Sequence, residues 1–312
     1  MSTTETRQTS SGPDGTDGGG AGHGFEVRKR RRWPWVAGGT VAVLAVAAAV
    51  VVPRLGGTET ANTTPGATLY VATAEGNARE QALIEYIAKD VAPEHGITIA
   101  FKALADSNTI NRAVSDGEVA GTIYQHKLWL GQVLKANPDF KEEAATPVFR
   151  WGFGLWSAKW KTPQEIPQGG TVSLYSDPAN EAQGLYVLQQ AGLITLKPGV
   201  DVGSATVDDI ATNPKDLKFT LLDFGAQSRA LPDLDAAVGY TEYYLAAKIP
   251  LEQQIFAPTP PDEFAGQLTI GSTWKDADNV KKLVETFQDP KVQAFLANDP
   301  SVKGVLLPLN AG

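Results

Sequence analysis

Four short segments carry the side chains best suited to binding a small molecule: residues 69–76, 124–130, 176–180 and 234–239. They offer aromatic rings, amides, a histidine and carboxylates, which hold ligands by hydrogen bonds and packing rather than by reacting with them. The first, third and fourth segments each join an apolar, strand-like stretch to a turn or a helix start. Open α/β sheets bind their ligands at such strand ends. The pattern therefore predicts a non-covalent binding site at the edge of an α/β sheet.

Each candidate side chain also has a purely structural interpretation. His126 either packs a strand end through a hydrogen bond or contacts the ligand, and Tyr124 either lines a cleft or fills the core. Asn180 precedes a helical pattern, so we expect it to cap that helix, whose free N–H groups would face the ligand. Of three tyrosines after a strand-like stretch, we expect Tyr240 in the cleft and at least one other in the core.

No pattern typical of catalysis or metal binding is present. The chain lacks the Gly-x-Ser-x-Gly, phosphate-loop and His-Glu-x-x-His motifs, and its three histidines are scattered. It has no cysteine, which excludes disulfides, thiolate metal sites and a lipid-modified cysteine in this sequence. Residues 56–312 hold 20 Lys and Arg against 31 Asp and Glu, a net charge of −11 that does not suit nucleic-acid binding. We therefore expect that the protein is not an enzyme and that it binds no metal, cofactor or nucleic acid.

The elements that must position these residues alternate between strands and helices. The first set comprises a strand at residues 68–73, a helix from Asn77, a strand at 97–101, a helix at 109–115 and a strand at 119–124. Asn77 with Glu80 predicts a capping box at the first helix start. This β-α-β-α-β order predicts a parallel sheet with helices on its faces.

A second set of elements follows in the same style. It comprises a strand at residues 171–175, a helix after Asn180, a strand at 219–222, a helix at 225–231, a strand at 236–238 and a final helix at 279–287. Two extended segments, residues 148–157 and 266–271, connect the sets. We therefore predict an α/β fold of two lobes with a cleft between them: residues 68–156 plus 266–312 form lobe 1, and 157–265 form lobe 2.

The N-terminal part predicts a membrane anchor. Residues 1–32 read as a disordered leader that ends in a basic run, and residues 33–52 contain no charge. Twenty helical residues span about 30 Å, the thickness of a bilayer's hydrocarbon core. The basic run predicts a single-pass signal-anchor with its N-terminus in the cytoplasm and the C-terminal domain outside. A cleaved signal peptide, with its cleavage site near residues 47–49, is the alternative. Residues 53–67 are predicted as a linker.

Seven sequence blocks, taken in order, resemble the methionine-binding lipoprotein family, the NlpA/MetQ-type solute-binding proteins of ABC importers. The blocks lie at residues 116–119, 124–127, 154–157, 177–180, 191–197, 213–215 and 234–238. The resemblance covers roughly residues 68–307. It implies a two-lobed, type II-like periplasmic-binding-protein fold that closes around a solute and delivers it to a membrane permease.

The resemblance also implies where a ligand would be held. In the family, an Arg on the helix after the Asp-Pro-x-Asn turn meets the ligand carboxylate, and here that position is Gln183. A family Asn that meets the amino-acid backbone falls on Tyr240, or on Glu242 if the alignment slips. Ser107 stands at an aromatic position of the family. The other positions implied or expected in the cleft are Tyr124, His126, Asn180 and Glu75.

These departures predict a changed ligand. An Arg–carboxylate pair contributes on the order of 1.5–3 kcal/mol, and the neutral Gln183 cannot replace its charge. Glu75, Asp177 and Glu181 lie in segments expected to line the cleft and would repel an anionic group. We therefore expect a neutral or cationic solute, amino-acid- or peptide-like, rather than free methionine. The predicted partners are this solute, ABC permease subunits and the membrane, with a monomeric outer domain. The alternative is a ligand-sensing or interaction module without transport.

Overall fold

The computed structural model of the protein describes residues 60–310. The predicted leader (residues 1–32) and the predicted anchor (residues 33–52) lie outside this range. Within residues 60–310, no helix is both long and apolar enough to cross a bilayer. Residues 60–66, predicted as part of the linker, form turns whose carbonyls at Ala61 and Thr64 accept hydrogen bonds from the side chain of Asn279.

Thirteen strands and eight α-helices alternate along the described residues. The strands are β1 (Thr68–Ala74), β2 (Thr98–Leu104), β3 (Gly121–His126), β4 (Glu142–Trp151), β5 (Phe153–Trp156), β6 (Thr171–Tyr175), β7 (Thr195–Leu196), β8 (Ile210–Thr212), β9 (Lys218–Leu222), β10 (Ala236–Tyr240), β11 (Gln254–Phe256), β12 (Gly266–Gly271) and β13 (Leu306–Leu307). The helices are α1 (Ala78–Tyr86), α2 (Ser107–Ser115), α3 (Lys127–Ala136), α4 (Pro178–Gln190), α5 (Phe224–Ala230), α6 (Thr241–Ala246), α7 (Asp278–Phe287) and α8 (Pro290–Asn298).

The first sheet has the strand order β13-β4-β12-β3-β1-β2. β1 runs parallel to β2 and β3, as predicted, whereas β12 runs antiparallel to both β3 and β4. The sheet is therefore mixed. One of its faces is covered by α1 and α7, which pack on it through fully buried apolar residues such as Leu83, Ile84 and Leu283. Each such side chain contributes about 1.5–3 kcal/mol of burial free energy.

The second sheet has the strand order β11-β5-β10-β6-β9. β6 runs parallel to β9 and β10, and β5 runs antiparallel to β10. Helix α4 packs on this sheet through Leu185, Val187 and Leu188, which are all buried in its core. The two sheets with their separate cores form an α/β fold of two lobes.

Two stretches of chain cross between the sheets. The first is Gly152, which lies between β4 and β5; a Cβ there would stand 2.3 Å from the Gly304 carbonyl oxygen, so only glycine fits. The second crossing runs from β11 to β12 over residues 257–265, so residues 266–271, predicted to be the crossing, are instead a strand inside the first sheet. Buried Arg150 ties the crossings together, because it donates to the Pro260 carbonyl at 2.7 Å and pairs with Asp262.

Three local features differ from what the sequence predicted. The capping box of α1 does not form, because the Asn77 side chain makes no capping hydrogen bond and Glu80 turns towards another strand. Helix α3 was not predicted. Helix α7 is not the last helix, because α8 follows it, capped by Asp289 and started by Pro290.

Candidate functional site

The side chains that end β3 and β10 meet the first turns of α4 between the two sheets. The contact joins four predicted residues, His126, Asn180, Gln183 and Tyr240, which we call the Asn180 network. His126 ends β3 of the first sheet and Tyr240 ends β10 of the second, while Asn180 and Gln183 lie on α4, which packs on the second sheet. The network therefore joins the third and fourth predicted segments to the second, while Glu75 at the end of the first segment is not part of it.

His126 is held by two hydrogen bonds and is 2% exposed. It caps α3, since its Nδ1 accepts the backbone N–H of Trp129 at 3.2 Å. The proton must then sit on Nε2, which lies 3.4 Å from Asn180 Oδ1 and donates to it. Burial lowers the pKa of His126 to about 4, so the ring is neutral at pH 7. His126 thus packs the end of β3 through hydrogen bonds, and its ring also faces the second lobe.

Asn180 bridges the start of α4 to the facing sheet. The cap of α4 is Asp177, whose carboxylate accepts the Asn180 N–H at 3.0 Å, so the expectation that Asn180 is the cap was wrong. Asn180 Nδ2 also donates to Asp177, at 2.9 and 3.0 Å to the two oxygens. This fixes the amide so that Oδ1 points at His126 and at the Tyr240 hydroxyl, which donates to it.

Tyr240 fills the space in front of Asn180. Its hydroxyl also lies 3.2 Å from Oε1 of Gln183, which is 1% exposed. Its ring packs against several other aromatic rings: Trp151 at 5.9 Å, Phe153 at 4.7 Å, Tyr175 at 5.8 Å and Phe224 at 6.2 Å. Gly239 just before it must be glycine, because a Cβ would stand 2.5 Å from the Tyr175 hydroxyl. Tyr244 is the core tyrosine, at 0% exposure.

Tyr124 and Ser107 form a second contact nearby. The Tyr124 hydroxyl lies 3.4 Å from the Ser107 carbonyl and also accepts a hydrogen bond from Asn111. Burial raises the pKa of Tyr124 well above its ordinary value, so the hydroxyl stays neutral. Ser107 contributes through its backbone, as the first residue of α2. Glu75 is exposed just after β1, and its described hydrogen bond is a backbone one, from its N–H to the Leu104 carbonyl.

Acidic groups dominate the electrostatics around the network. Burial raises the pKa of Asp177 and of Glu181, which both lie at the start of α4. Gln183, at the position where the resemblance implies an arginine, brings no positive charge. A carboxylate placed against Asn180 would therefore meet acceptors and nearby anions instead of a cation.

Four further residues face this region, and none of them was among the predicted site residues: Arg79, Glu80, Trp151 and Glu242. Trp151 Nε1 donates to Glu80 Oε1 at 3.0 Å, and Arg79 on the same helix forms a 2.8 Å ion pair with Glu242 across the two sheets. The family resemblance gave Glu242 only as the alternative to Tyr240. The clue in the sequence is that Arg79 and Glu80 directly follow the first strand end, where a ligand site was expected.

Comparison with known proteins identifies the fold and the family. The family model for NlpA lipoprotein matches residues 69–309. The chain belongs to the NlpA lipoprotein family. The D-methionine-binding lipoprotein MetQ of Escherichia coli is 31% identical over 231 residues, which cover 72% of this chain and 84% of that protein. The NlpA family is one of substrate-binding proteins, not of enzymes.

Solved structures agree with this assignment. A nutrient-binding protein from Burkholderia cenocepacia bound to methionine has a TM-score of 0.65 and 32% identity, covering 77% of this chain and 98% of that one. The substrate-binding protein of a methionine transporter from Streptococcus pneumoniae has a TM-score of 0.64 and 28% identity, covering 78% and 95%. The fold is therefore the two-lobed α/β fold of solute-binding proteins.

Proposed function

We propose that this NlpA-family protein captures a small amino-acid- or peptide-like solute between its two lobes and delivers it to an ABC permease. The observation that carries the proposal is the Asn180 network, in which side chains of both sheets meet at strand ends. A solute bound there contacts both lobes, so binding favours the closed arrangement. Relatives named for methionine binding support a solute of amino-acid size.

We further propose that free methionine is not the preferred solute. The Tyr240 hydroxyl occupies Asn180 Oδ1, and Gln183 supplies no charge for a ligand carboxylate. Asp177 and Glu181 add negative charge on the same helix turn. A solute whose carboxylate is absent or masked avoids this mismatch, because it needs no cation in the site.

The test is a thermal-shift panel on the purified full chain in a mild detergent. Amino acids, dipeptides and small neutral or cationic metabolites are compared at equal concentrations. A solute at about 100 times its Kd adds about 2.7 kcal/mol of apparent stability, which raises Tm measurably. We expect a hit outside free methionine. If methionine stabilises the protein as strongly as any other compound, the proposal that methionine is not the preferred solute is contradicted. If no compound raises Tm, solute binding itself is contradicted.

A pair of arginine variants tests the role of position 183. Gln183→Arg should raise the affinity for a free amino acid, because it supplies the missing cation beside Asn180. Gln190→Arg adds the same charge at an exposed position near the end of the same helix and serves as the control. Equal effects of the two variants would show that position 183 does not face the solute.

The membrane arrangement is also a proposal. We propose a single-pass anchor at residues 33–52 with the N-terminus in the cytoplasm, a linker, and a monomeric outer domain of two lobes. The lobes meet at the two crossings, Gly152 and residues 257–265, and not at the predicted boundary after residue 156, because β5 (Phe153–Trp156) pairs within the second sheet. Relatives are named lipoproteins, but this sequence has no cysteine to carry a lipid. Mass spectrometry of the mature protein from membranes tests the anchor. A mature N-terminus near residue 50 would show that the segment is cleaved.

One observation favours a second candidate function. Because Tyr240 satisfies the Asn180 network internally, the domain can hold its closed arrangement without a solute, as a sensing or interaction module would require. Deletion of the gene followed by uptake assays of the panel hit separates the two functions. Lost uptake supports transport, whereas unchanged uptake with retained binding supports sensing.

A further inference from the structure

Two carboxylates from different lobes meet beside the Asn180 network. Glu80 lies on α1, next to the first sheet, and Glu242 lies on α6, at the end of β10 in the second sheet. Glu80 accepts from Trp151 Nε1 at 3.0 Å, and Glu242 Oε1 pairs with Arg79 at 2.8 Å. Their charges repel each other, which helps burial to raise the pKa of Glu80. We call Glu80, Glu242 and the neighbouring rings of Trp151 and Tyr243 the paired-carboxylate site.

This site is short of hydrogen-bond donors. Each carboxylate offers about four lone-pair positions, yet within residues 60–310 the two together accept from one indole and one guanidinium of other residues. Glu242 Oε2 is buried and has no hydrogen-bond partner in the described chain. Glu80 is only 6% exposed, so water does little to compensate. A buried acceptor without a donor destabilises the fold, more so when the acceptor is charged, and an incoming donor recovers that cost.

Aromatic rings complete the walls of the site. Tyr243 is 37% exposed, and burial together with the charges of Glu80 and Glu242 raises its pKa. Tyr243 stacks on Phe224 at 5.5 Å, and Trp151 packs edge-on to Tyr240 at 5.9 Å. Ring faces attract cations through their quadrupole, and this attraction adds to that of the carboxylates.

We propose that the paired-carboxylate site binds an ammonium group of the solute, with Glu80 and Glu242 as acceptors and Trp151 and Tyr243 as aromatic walls. The inference rests on the proposed function and names the class of its solute. An ammonium group brings three donors on a compact charge, which matches two donor-poor carboxylates. Within residues 60–310, no group of three or more His, Cys, Asp or Glu could hold a metal ion, so an organic cation fits better.

The placement of the two carboxylates also links binding to closure. Glu80 and Glu242 belong to different lobes, so one ammonium group that bonds to both holds the lobes together. The Arg79–Glu242 pair is the chain's own version of this link, with side chains 33% and 23% exposed. A partly exposed pair of this kind contributes little because solvent screens its charges, so a better desolvated ligand cation binds Glu242 more strongly.

The experiment compares four probes by calorimetry on the full chain. L-methioninamide carries only an α-ammonium group, and N-acetyl-L-methioninamide is its neutral match. Nα-acetyl-L-lysinamide carries only a side-chain ammonium group, and L-methionine adds a carboxylate to the α-ammonium. We expect at least one of the two cationic probes to bind at least tenfold more tightly than the neutral match, and the stronger of them identifies which ammonium is recognised.

Three variants assign the effect to the site. Glu80→Gln and Glu242→Gln keep the side-chain shape but remove the charge, and each should weaken the cationic probe about tenfold or more. Glu85→Gln, an exposed residue of the same helix as Glu80, should leave binding unchanged. Glu242 is partly exposed, so its variant folds even where a change at buried Glu80 does not.

The outcomes separate the inference from the proposed function. Equal binding of the neutral and cationic probes, or unchanged binding in both glutamine variants, overturns the ammonium site. If neither cationic probe binds, the ammonium site is also overturned. A hit in the wider thermal-shift panel would then still support the solute-binding function. If no compound binds in either experiment, both the ammonium site and the solute-binding function are contradicted. Methionine binding as tightly as methioninamide retains the ammonium site and contradicts only the exclusion of methionine.

Discussion

The two polar clusters between the sheets differ in how completely their hydrogen bonds are satisfied. In the Asn180 network, the His126 proton, the Tyr240 hydroxyl and the Asn180 amide all find partners within the chain. In the paired-carboxylate site, the charged acceptors outnumber the donors. A satisfied network rigidifies the fold, whereas unsatisfied buried acceptors retain capacity for a ligand. The first cluster thus forms a fixed wall of the cleft where side chains of both lobes meet, and the second keeps acceptors free for the ammonium group that we propose it binds.

The largest expected effect comes from breaking the satisfied cluster. Tyr240→Ala removes a ring that packs against four others and leaves the acceptors of Asn180 and Gln183 without its hydroxyl. We expect a loss of about 3 kcal/mol in the free energy of unfolding, measured by urea denaturation. The matched control is Tyr243→Ala at the 37% exposed position, which should lose less than about 1 kcal/mol. Similar losses in both variants would show that the Asn180 network does not stabilise the fold.

The pH dependence of stability tests the same cluster through His126. Its pKa is about 4 in the folded protein against an ordinary 6.5, so between these values the unfolded chain binds more protons. The contribution of His126 to the free energy of unfolding is therefore fully present above pH 6.5, and it falls by roughly 3 kcal/mol as the pH drops towards 4. His126→Asn keeps a helix-capping side chain and should remove this slope. A variant whose unfolding free energy falls as steeply as the parent's would contradict the neutral, buried state of His126.

Glu142 offers a carboxylate with even fewer partners than the paired-carboxylate site. It is 6% exposed, neither oxygen has a hydrogen-bond partner in the described residues, and burial raises its pKa to about 8. The folded protein thus binds more protons than the unfolded chain between pH 4.5 and 8, so this group lowers stability as pH rises through that window.

The corresponding variant is Glu142→Gln. This variant should be more stable than the parent by about 2 kcal/mol at pH 8, and the difference should shrink towards pH 5. In the parent, the ionised Glu142 side chain can turn towards water, so the effect is smaller than its pKa shift alone would give. The measurement is urea denaturation across that range. Between pH 4.5 and 6.5 the slopes of Glu142 and His126 oppose each other, so only the single variants separate them. A constant difference at all pH values would contradict the raised pKa.

Local patterns of the sequence were sufficient for much of the fold. Leu83, Ile84, Ile87 and Val91 recur at helical spacing, and all four are 0% exposed. The first two lie in α1, and the last two lie in the π-helical turn that continues it over Ile87–Val91. The order of the first strands predicted the parallel pairing of β1 with β2 and β3. Such features depend on neighbours within a few residues, so a single sequence carries them.

The site depended on partners that are distant in sequence. Glu80 looked like part of a local capping box, but its carboxylate bonds to Trp151, 71 residues away. Arg79 pairs with Glu242 across 163 residues. Neither pairing leaves a local pattern, because a capping glutamate and a lobe-bridging glutamate are the same residue type at the same spacing. His126 was similar: its role as the cap of α3 depends on a helix that the apolar pattern did not reveal.

The smallest effect, and the one that most sharpens the comparison, concerns Arg79. Arg79→Met should change the free energy of unfolding by less than about 1 kcal/mol, because its ion pair with Glu242 is partly exposed. The same change removes the chain's own cation from Glu242, so both oxygens become available to a ligand. We therefore expect the affinity for L-methioninamide, measured by calorimetry, to rise about two- to fivefold, opposite in sign to the effect of Glu242→Gln. If the ion pair served mainly to hold the lobes closed, Arg79→Met would weaken binding instead. The sign of this one change thus decides whether Arg79 competes with the ligand for Glu242 or assists it by closing the lobes.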